Sequence, residues 1–272
     1  MTATATMALR FSSAHEREAY QRDGAIVIRS ALDVNWVERM RAAIANLTSS
    51  SPSVTLWMAR LDPEFAAFAA ESGLAELAGE LMGAERVNFF YDQLFVKQTR
   101  SDNPTPLHQD LPYWPVEGQQ IISIWVPFDH VTLENSVVQY VKGSHRWGRM
   151  FEPVSFQKDG AKRAARVGSA GYEQIADPAA LVAENETLSW ELDPGDVLVH
   201  HPLTLHFATP NVSASESRRA IALRYVGPDS HFLDRPGNFM RSANPPPFWP
   251  RGPIISGAPI DGPDYPLAWP KV

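Results

Sequence analysis

The stretch VNFFYDQLFVKQ, residues 87–98, is where the chain changes character. It is dense in aromatic and β-branched residues and follows Gly83, where a helical pattern stops, so it reads as a strand. Five later stretches carry the same signature: IISIWVPFDHV (121–131), VVQYVKGSH (137–145), TLSWEL (187–192), GDVLVHHPLTLHF (195–207) and RRAIALRYVG (218–227). Gly, Pro, Asn and Asp punctuate them. Upstream, the pattern is mixed. SAHE at 13–16 is a capping box opening a short helix, and GAIVIRSAL at 24–32 reads as one strand. Trp36, Val37, Met40, Ile44 and Leu47 then recur at helical spacing behind Asp33 and Asn35. Asp62 and Pro63 open a further helical stretch, interrupted near Gly73 and ending at Gly83. Many short strands behind a helical preface predict a mainly β fold, a β-sandwich or jelly roll with helices packed on one side.

The expected organisation is a single domain over residues 1–272, with a helical preface (1–83), a β core (84–230) and a Pro-rich tail (235–272). Residues 149–186 are polar and weakly periodic, and read as an insertion in the core that serves as a lid. The tail interleaves Trp and Phe with its prolines (NPPPFWPRGP, DGPDYPLAWP), which predicts extended chain packed on the domain.

Composition narrows the function. With 272 residues the chain can bury a full core. It has no cysteine, which excludes disulfides, thiolate catalysis and Cys-based zinc sites and agrees with a reducing cytoplasm. A net charge of −7 argues against a nucleic-acid surface. No apolar run approaches a membrane span. MTATATMALRFSS lacks the apolar core of a signal peptide, and the final PKV is not a peroxisomal tripeptide.

The chemistry concentrates in PLHQDLPYW, residues 106–114. His108 and Asp110 are two positions apart, and if PLHQD ends a strand their side chains share a face. Two imidazoles and one carboxylate on one face of an octahedron make the donor set of non-haem Fe(II) oxygenases. Alone, a His-x-Asp pair more often marks a turn. The context here is PGDVLVHHPLTLHFATPNVSASESRRAIALRY: another His on a strand, a polar turn, then a strand that opens on Arg. His206 would complete the set, with His200 and His201 as competitors. The arginine at the strand start would pair with a carboxylate. Arg218 shares its face with Ala220, Ala222 and Arg224, which leaves room for a ligand. Its competitor Arg219 shares a face with Ile221, Leu223 and Tyr225, which looks like packing. Tyr113 and Trp114 read as core or as pocket wall, and Asn211 as a turn cap.

Taken together, YDQLFVKQ, PLHQDLPYWP, QIISIWVPFDHVTLENS, YVKGSHRWG, PGDVLVHH, LHFATPNVS and RRAIALRY resemble the phytanoyl-CoA dioxygenase family of Fe(II)/2-oxoglutarate-dependent oxygenases over nearly the whole chain. The resemblance implies a double-stranded β-helix, a jelly-roll or cupin-like core with flanking helices. It implies His108, Asp110 and His206 as iron ligands, Arg218 on the distal carboxylate of 2-oxoglutarate, and Trp125 and Gln93 lining the co-substrate site. O2 is then the second co-substrate and ascorbate a stimulant. There are two departures: Asn135-Ser136 stands where the family usually has Asn-Gly, and Ala208 where relatives often have Ser. Asp110 points to hydroxylation, since a small residue replaces this carboxylate in related halogenases. A free small-molecule substrate is expected, because no Lys/Arg cluster suggests a CoA handle. An acyl-CoA hydroxylase and a non-catalytic metal- or small-molecule-binding jelly roll are the alternatives.

Overall fold

The computed structural model describes residues 12–47, 54–154, 156, 171–235, 238–241 and 244–270. Most of the N-terminal stretch, positions 155 and 157–170 of the insertion, and a few tail positions lie outside the described residues. Helix α1 (Ala14–Asp23) starts with the capping box: the Ser13 hydroxyl accepts the Glu16 N–H, and the Glu16 carboxylate accepts the Ser13 N–H. It ends at Gly24, whose φ of 79° is left-handed. A Cβ there would lie 2.2 Å from His145 Nδ1 and 2.6 Å from Thr204 Oγ1, so glycine is required twice over. Strand β1 (Ala25–Ile28) follows, then α2 (Val34–Ala45), α3 (Pro63–Glu71) and α4 (Leu74–Met82). Asp33 and Asp62 cap α2 and α3 through their side chains, and left-handed glycines at 73 and 83 bound α4.

The core strands are β2 (Val87–Lys97), β3 (Thr105–His108), β4 (Ile121–Pro127), β5 (Val138–Val141), β6 (Thr187–Leu188), β7 (Val197–His200), β8 (His206–Ala208) and β9 (Arg218–Val226). They form two antiparallel sheets. The larger runs β1-β7-β4-β9-β2, extended along β2 by Val54–Leu56 and Leu267–Trp269. The smaller runs β6-β5-β8-β3. This is the expected mainly β double-sheet core with helices on one flank.

Side-chain alternation assigns each face of the larger sheet. Ile122, Ile124, Val126, Val197, Val199, Ile221, Leu223 and Tyr225 pack against α2–α4 in one apolar core. Trp125, Leu198, Ala220 and Ala222 point the other way, towards the smaller sheet. A β-bulge in β2 decides what that inner face carries. Arg224 pairs with Tyr91 but Tyr225 pairs with Phe89, so Phe90 is the extra residue. Val87 and Phe89 therefore face the helices, whereas Tyr91, Gln93, Phe95 and Lys97 face the space between the sheets.

Five strands are more than one residue shorter than the sequence pattern predicts: GAIVIRSAL keeps only Ala25–Ile28 and VVQYVKGSH only Val138–Val141. GDVLVHHPLTLHF splits into β7 and β8, which belong to opposite sheets. Pro202 has no N–H to donate to a ladder, and the Thr204 N–H turns back on the His201 carbonyl at 2.8 Å while its hydroxyl donates to Gly24 O. IISIWVPFDHV leaves the sheet after Pro127, where Asn135 takes over: its Oδ1 accepts the Thr132 N–H and its Nδ2 donates to His130 O. Only Thr187–Leu188 of TLSWEL pairs regularly, with one further bridge between Leu192 and Val131.

In the insertion, Met150–Phe151 pairs in parallel with Tyr172–Glu173, and a short helix covers Pro178–Ala183. The tail lies on the domain: Ile260 and Tyr265 join Trp57, Phe90, Tyr91 and Trp114 in an aromatic cluster, with Trp249 packed against it.

Candidate active site

His206 on β8 is in register with His108 on β3 and with Tyr140 on β5. The two imidazole centroids are 4.1 Å apart. Asp110 is not on the strand, contrary to the premise that PLHQD forms its end. β3 stops at His108, and the Asp110 backbone is helical, opening a 3₁₀ turn over Leu111–Tyr113. What aims its carboxylate at His108 is an anchor: the N–H groups of Asp110 and Leu111 both donate to Pro202 O, at 2.9 and 3.0 Å. Gln109 points away from the site. Its amide donates to Arg149 O and Leu203 O and accepts from the Phe151 N–H.

Ligand atoms of His108, Asp110 and His206 lie within 4.8 Å of one another, all three residues buried, in an arrangement that could hold a metal ion. The His108 Nδ1–H donates to Pro106 O (2.8 Å), and the His206 Nδ1–H to Thr204 O (2.9 Å). A carbonyl only accepts, so these bonds fix the tautomer and leave both Nε2 lone pairs free. Those Nε2 atoms face Asp110 Oδ1, at 3.5 Å from His108 and 3.8 Å from His206. Burial pushes the Asp110 carboxyl up, but His108, His200, His206 and Arg224 outweigh it and hold the group well below the usual carboxylate range. Burial, reinforced by His108, lowers His206 far below the usual imidazole value, so it is neutral.

The two competing histidines separate. His200 ends β7 facing inward. Its Nε2 is 3.4 Å from Asp110 Oδ2 and its Nδ1 is 3.4 Å from the Tyr140 hydroxyl. His201 faces the other way: its N–H donates to Gly24 O, its Nδ1 accepts the Leu203 N–H, and its ring packs on His145. Burial, with His145 and His200 near, pulls His201 down to about 3.

A cavity of about 740 Å³ surrounds the triad, lined among others by Trp125, Gln93, Tyr113 and Trp114. Arg218 lies on its wall, 3% exposed, with its guanidinium carbon 5.2 Å from the Trp125 ring centroid. Its Nε has no hydrogen-bond partner among the described residues, and burial lowers its pKa to about 10. Arg219 is outside the cavity, bonded to Asp129 through its backbone N–H, Nε and Nη2. Gln93 lines the cavity with its Oε1 accepting from Arg224 Nη2 at 3.1 Å.

Three cavity residues escaped the reading of the sequence as site residues, and a fourth, His200, entered it only as a competitor of His206. Lys97 stands opposite Arg218 in the β2–β9 register. Its ammonium donates to Ser136 Oγ (2.8 Å) and Thr209 O (2.9 Å), and burial, with Arg218 adding repulsion, lowers it to about 7. Arg224 and Tyr140 are the other two. Period-two counting from Gln93 would have reached Lys97, and from Arg218 it reaches Arg224. Ser136 has a φ of +83°, a conformation glycine adopts without cost, and its hydroxyl is what meets Lys97. Ala208 also lines the cavity, one inward position beyond His206.

The sequence model of the phytanoyl-CoA dioxygenase (PhyH) family matches residues 20–220. The peroxisomal phytanoyl-CoA dioxygenase of Homo sapiens is 28% identical over 134 residues, 48% of this chain and 36% of that protein. Dioxygenase lolE1 of Epichloe uncinata is 31% identical over 144 residues, 53% of this chain and 47% of that one. The chain thus spans between a third and a half of the length of these curated relatives. Among solved structures, the non-heme alpha ketoglutarate dependent epimerase SnoN from nogalamycin biosynthesis superposes with a TM-score of 0.71 at 21% identity, covering 94% of this chain and 95% of its own. No helix among the described residues is long and apolar enough to cross a membrane. With two-thirds or more of its length inside the family match and a jelly-roll core around a His-Asp-His cluster, this chain belongs to the phytanoyl-CoA dioxygenase family.

Proposed function

We propose that this protein is a non-haem Fe(II)/2-oxoglutarate-dependent dioxygenase that hydroxylates an unactivated C–H bond of a small-molecule metabolite. The observation that carries the reading is the orientation of two imidazoles. His108 and His206 each tie Nδ1–H to a carbonyl and turn Nε2 towards one ionised carboxylate. Two imidazole nitrogens and one carboxylate oxygen on one side of a buried point suit a facial Fe(II) site with open positions. His108, Asp110 and His206 would hold the metal.

When bound, iron and 2-oxoglutarate supply the oxidising power: one atom of O2 enters succinate, the other the hydroxylated product, and CO2 leaves. The chain's own residues do the rest. Arg218 takes the distal carboxylate of 2-oxoglutarate in a charge-assisted fork, with Lys97 as a second donor beside it. Trp125 braces the Arg218 guanidinium through its ring face. Gln93 acts further along the same wall. Aromatic side chains of the cavity exclude water from the reacting centre. A 740 Å³ cavity suits a free small molecule, and we favour that class over an acyl-CoA ester. Described parts of the insertion reach the cavity through Pro153, Val154 and Phe156, which supports its reading as a lid. The absence of cysteine is compatible with a reducing cytoplasm, the location we propose.

The test is direct. Anaerobic addition of Fe(II) and 2-oxoglutarate to purified protein is expected to produce a visible metal-to-ligand charge-transfer band, and air should then give 2-oxoglutarate-dependent succinate. Neither signal from the wild-type protein would overturn the reading.

A further inference from the structure

The cavity holds a second buried guanidinium, Arg224, that the co-substrate does not need. Arg224 and Arg218 lie on the same face of β9 but six residues apart, about 20 Å of strand at ~3.3 Å per residue. Arg218 keeps company with Lys97, while Arg224 stands at the Asp110 end, with Nη2 3.8 Å from Asp110 Oδ2. Arg224 is 3% exposed, with its guanidinium 4.7 Å from the Tyr91 ring and 5.8 Å from the Trp114 ring. Nη1 donates to Ala222 O and Nη2 to Gln93 Oε1, both uncharged acceptors. The buried Nε has no acceptor among the described residues.

A buried cation is stable only when matched. Asp110 is the one carboxylate lining the cavity among the described residues, facing two arginines and Lys97. The two charges of iron and the two of 2-oxoglutarate cancel one another. Asp110 then offsets one of the three cations, and two positive charges are left over. Arg218 and Lys97 are placed for the co-substrate; Arg224 has Asp110 as its nearest charge, but at 3.8 Å, beyond hydrogen-bond distance, and its Nε has no acceptor among the described residues, so its donor edge stays open.

The geometry points to Arg224, braced by Gln93, as the anchor for a carboxylate on the primary substrate, whose apolar or aromatic body lies against Tyr91 and Trp114. A planar carboxylate matches a guanidinium edge, and the rings account for the rest of the molecule. This rests on the oxygenase reading, since it takes Arg218 as the co-substrate's partner.

The experiment uses full-length protein carrying Fe(II) and 2-oxoglutarate, under anaerobic conditions. Hexanoate, benzoate and phenylacetate are titrated against the primary amide of each, following the charge-transfer band. At least one acid is expected to perturb the band with an affinity at least about tenfold above its amide. Arg224→Gln is expected to erase that acid-over-amide preference, and Arg224→Lys to restore part of it. Amides binding as well as acids, no acid perturbing the band, or a preference that survives in Arg224→Gln would each overturn the anchor. The acid–amide comparison on the wild type stands even where a variant fails to fold. Absence of the band before any acid is added overturns the oxygenase reading itself, and the anchor with it.

Discussion

Strands β2 and β9 present two faces, and the same residue types fare differently on each. On the helix side, Arg219 is matched three times over by Asp129, and buried Asp92 is engaged by the Ala59 N–H. On the cavity side, Arg218 and Arg224 each keep a buried Nε without an acceptor among the described residues, and Lys97 rests on uncharged oxygens. The packing face pairs Arg219 with a carboxylate and gives Asp92 Oδ2 a donor, leaving only Asp92 Oδ1 of these charged groups without a partner among the described residues. The cavity face leaves cations unmatched, which costs stability in the absence of ligands and prepares the site for anions. The surplus is therefore a binding feature rather than a defect of the core.

The contrast breaks most visibly at the two buried carboxylates. Asp110→Ala is expected to abolish the charge-transfer band and lower Fe(II) affinity by more than about 100-fold, since even partners of metal ligands are worth 10- to 100-fold. The band is to be read on protein shown to be folded by circular dichroism, since Asp110 is the anion nearest Arg224 and its removal leaves that buried guanidinium less compensated. Asp92 should behave oppositely, with a stability effect and no effect on the band. Burial raises its pKa from 3.8 to about 7, against the favourable Ala59 N–H. A carboxyl raised on folding binds more protons in the folded than in the unfolded state between those values, so stability is full below about pH 4 and falls as pH rises to about 7. The loss is up to about 4 kcal/mol, at ~1.4 kcal/mol per pH unit. Asp92→Asn is expected to flatten that slope in denaturant titrations taken at pH 4, 5.5 and 7. An unchanged slope would mean that Asp92 is ionised throughout.

The neighbouring arginines sharpen the comparison at smaller energy. Arg218→Gln is expected to raise the KM for 2-oxoglutarate about 10- to 100-fold, the loss of a charge-assisted hydrogen bond of ~1.5–3 kcal/mol. Arg219→Gln, one position on, should leave that KM unchanged and lower stability by about 1 kcal/mol or less, because its pair with Asp129 is partly solvated. A shift in KM for Arg219→Gln comparable to that for Arg218→Gln would erase the distinction between the two faces.

Much of this was legible in local pattern. The capping box at Ser13, the caps at Asp33 and Asp62, and the stops at Gly73 and Gly83 depend on residues within a turn of one another, and the structure has each. The strand alternation that separates Arg218 from Arg219 is local too. What was not legible depends on partners distant in sequence. The break between β7 and β8 is set by Gly24, over 170 residues away, whose carbonyl accepts from His201 and Thr204. Asp110 reaches the cluster through Pro202, not through strand geometry. The Phe90 bulge, visible only in pairing, is what leaves Val87 and Phe89 on the helix face while Tyr91, Gln93 and Lys97 face the cavity.

The smallest expected effect concerns Ala208, where the cavity face lacks a polar group. β8 presents His206 and Ala208 inward from successive same-face positions, so whatever stands at 208 looks into the space between the triad and Arg218. Lys97 and Ser136 already supply donors nearby, and the Ser136 hydroxyl donates to the Thr209 carbonyl. Ala208→Ser adds one hydroxyl, worth ~0.5–1.5 kcal/mol if it bonds the co-substrate, and should lower the KM for 2-oxoglutarate about 2- to 10-fold at unchanged kcat. In an Arg218→Gln background the gain should persist, because hydroxyl and guanidinium act on the co-substrate independently. A gain that vanished there would mean that the hydroxyl works by orienting Arg218, making the face one connected network instead of a set of separate donors.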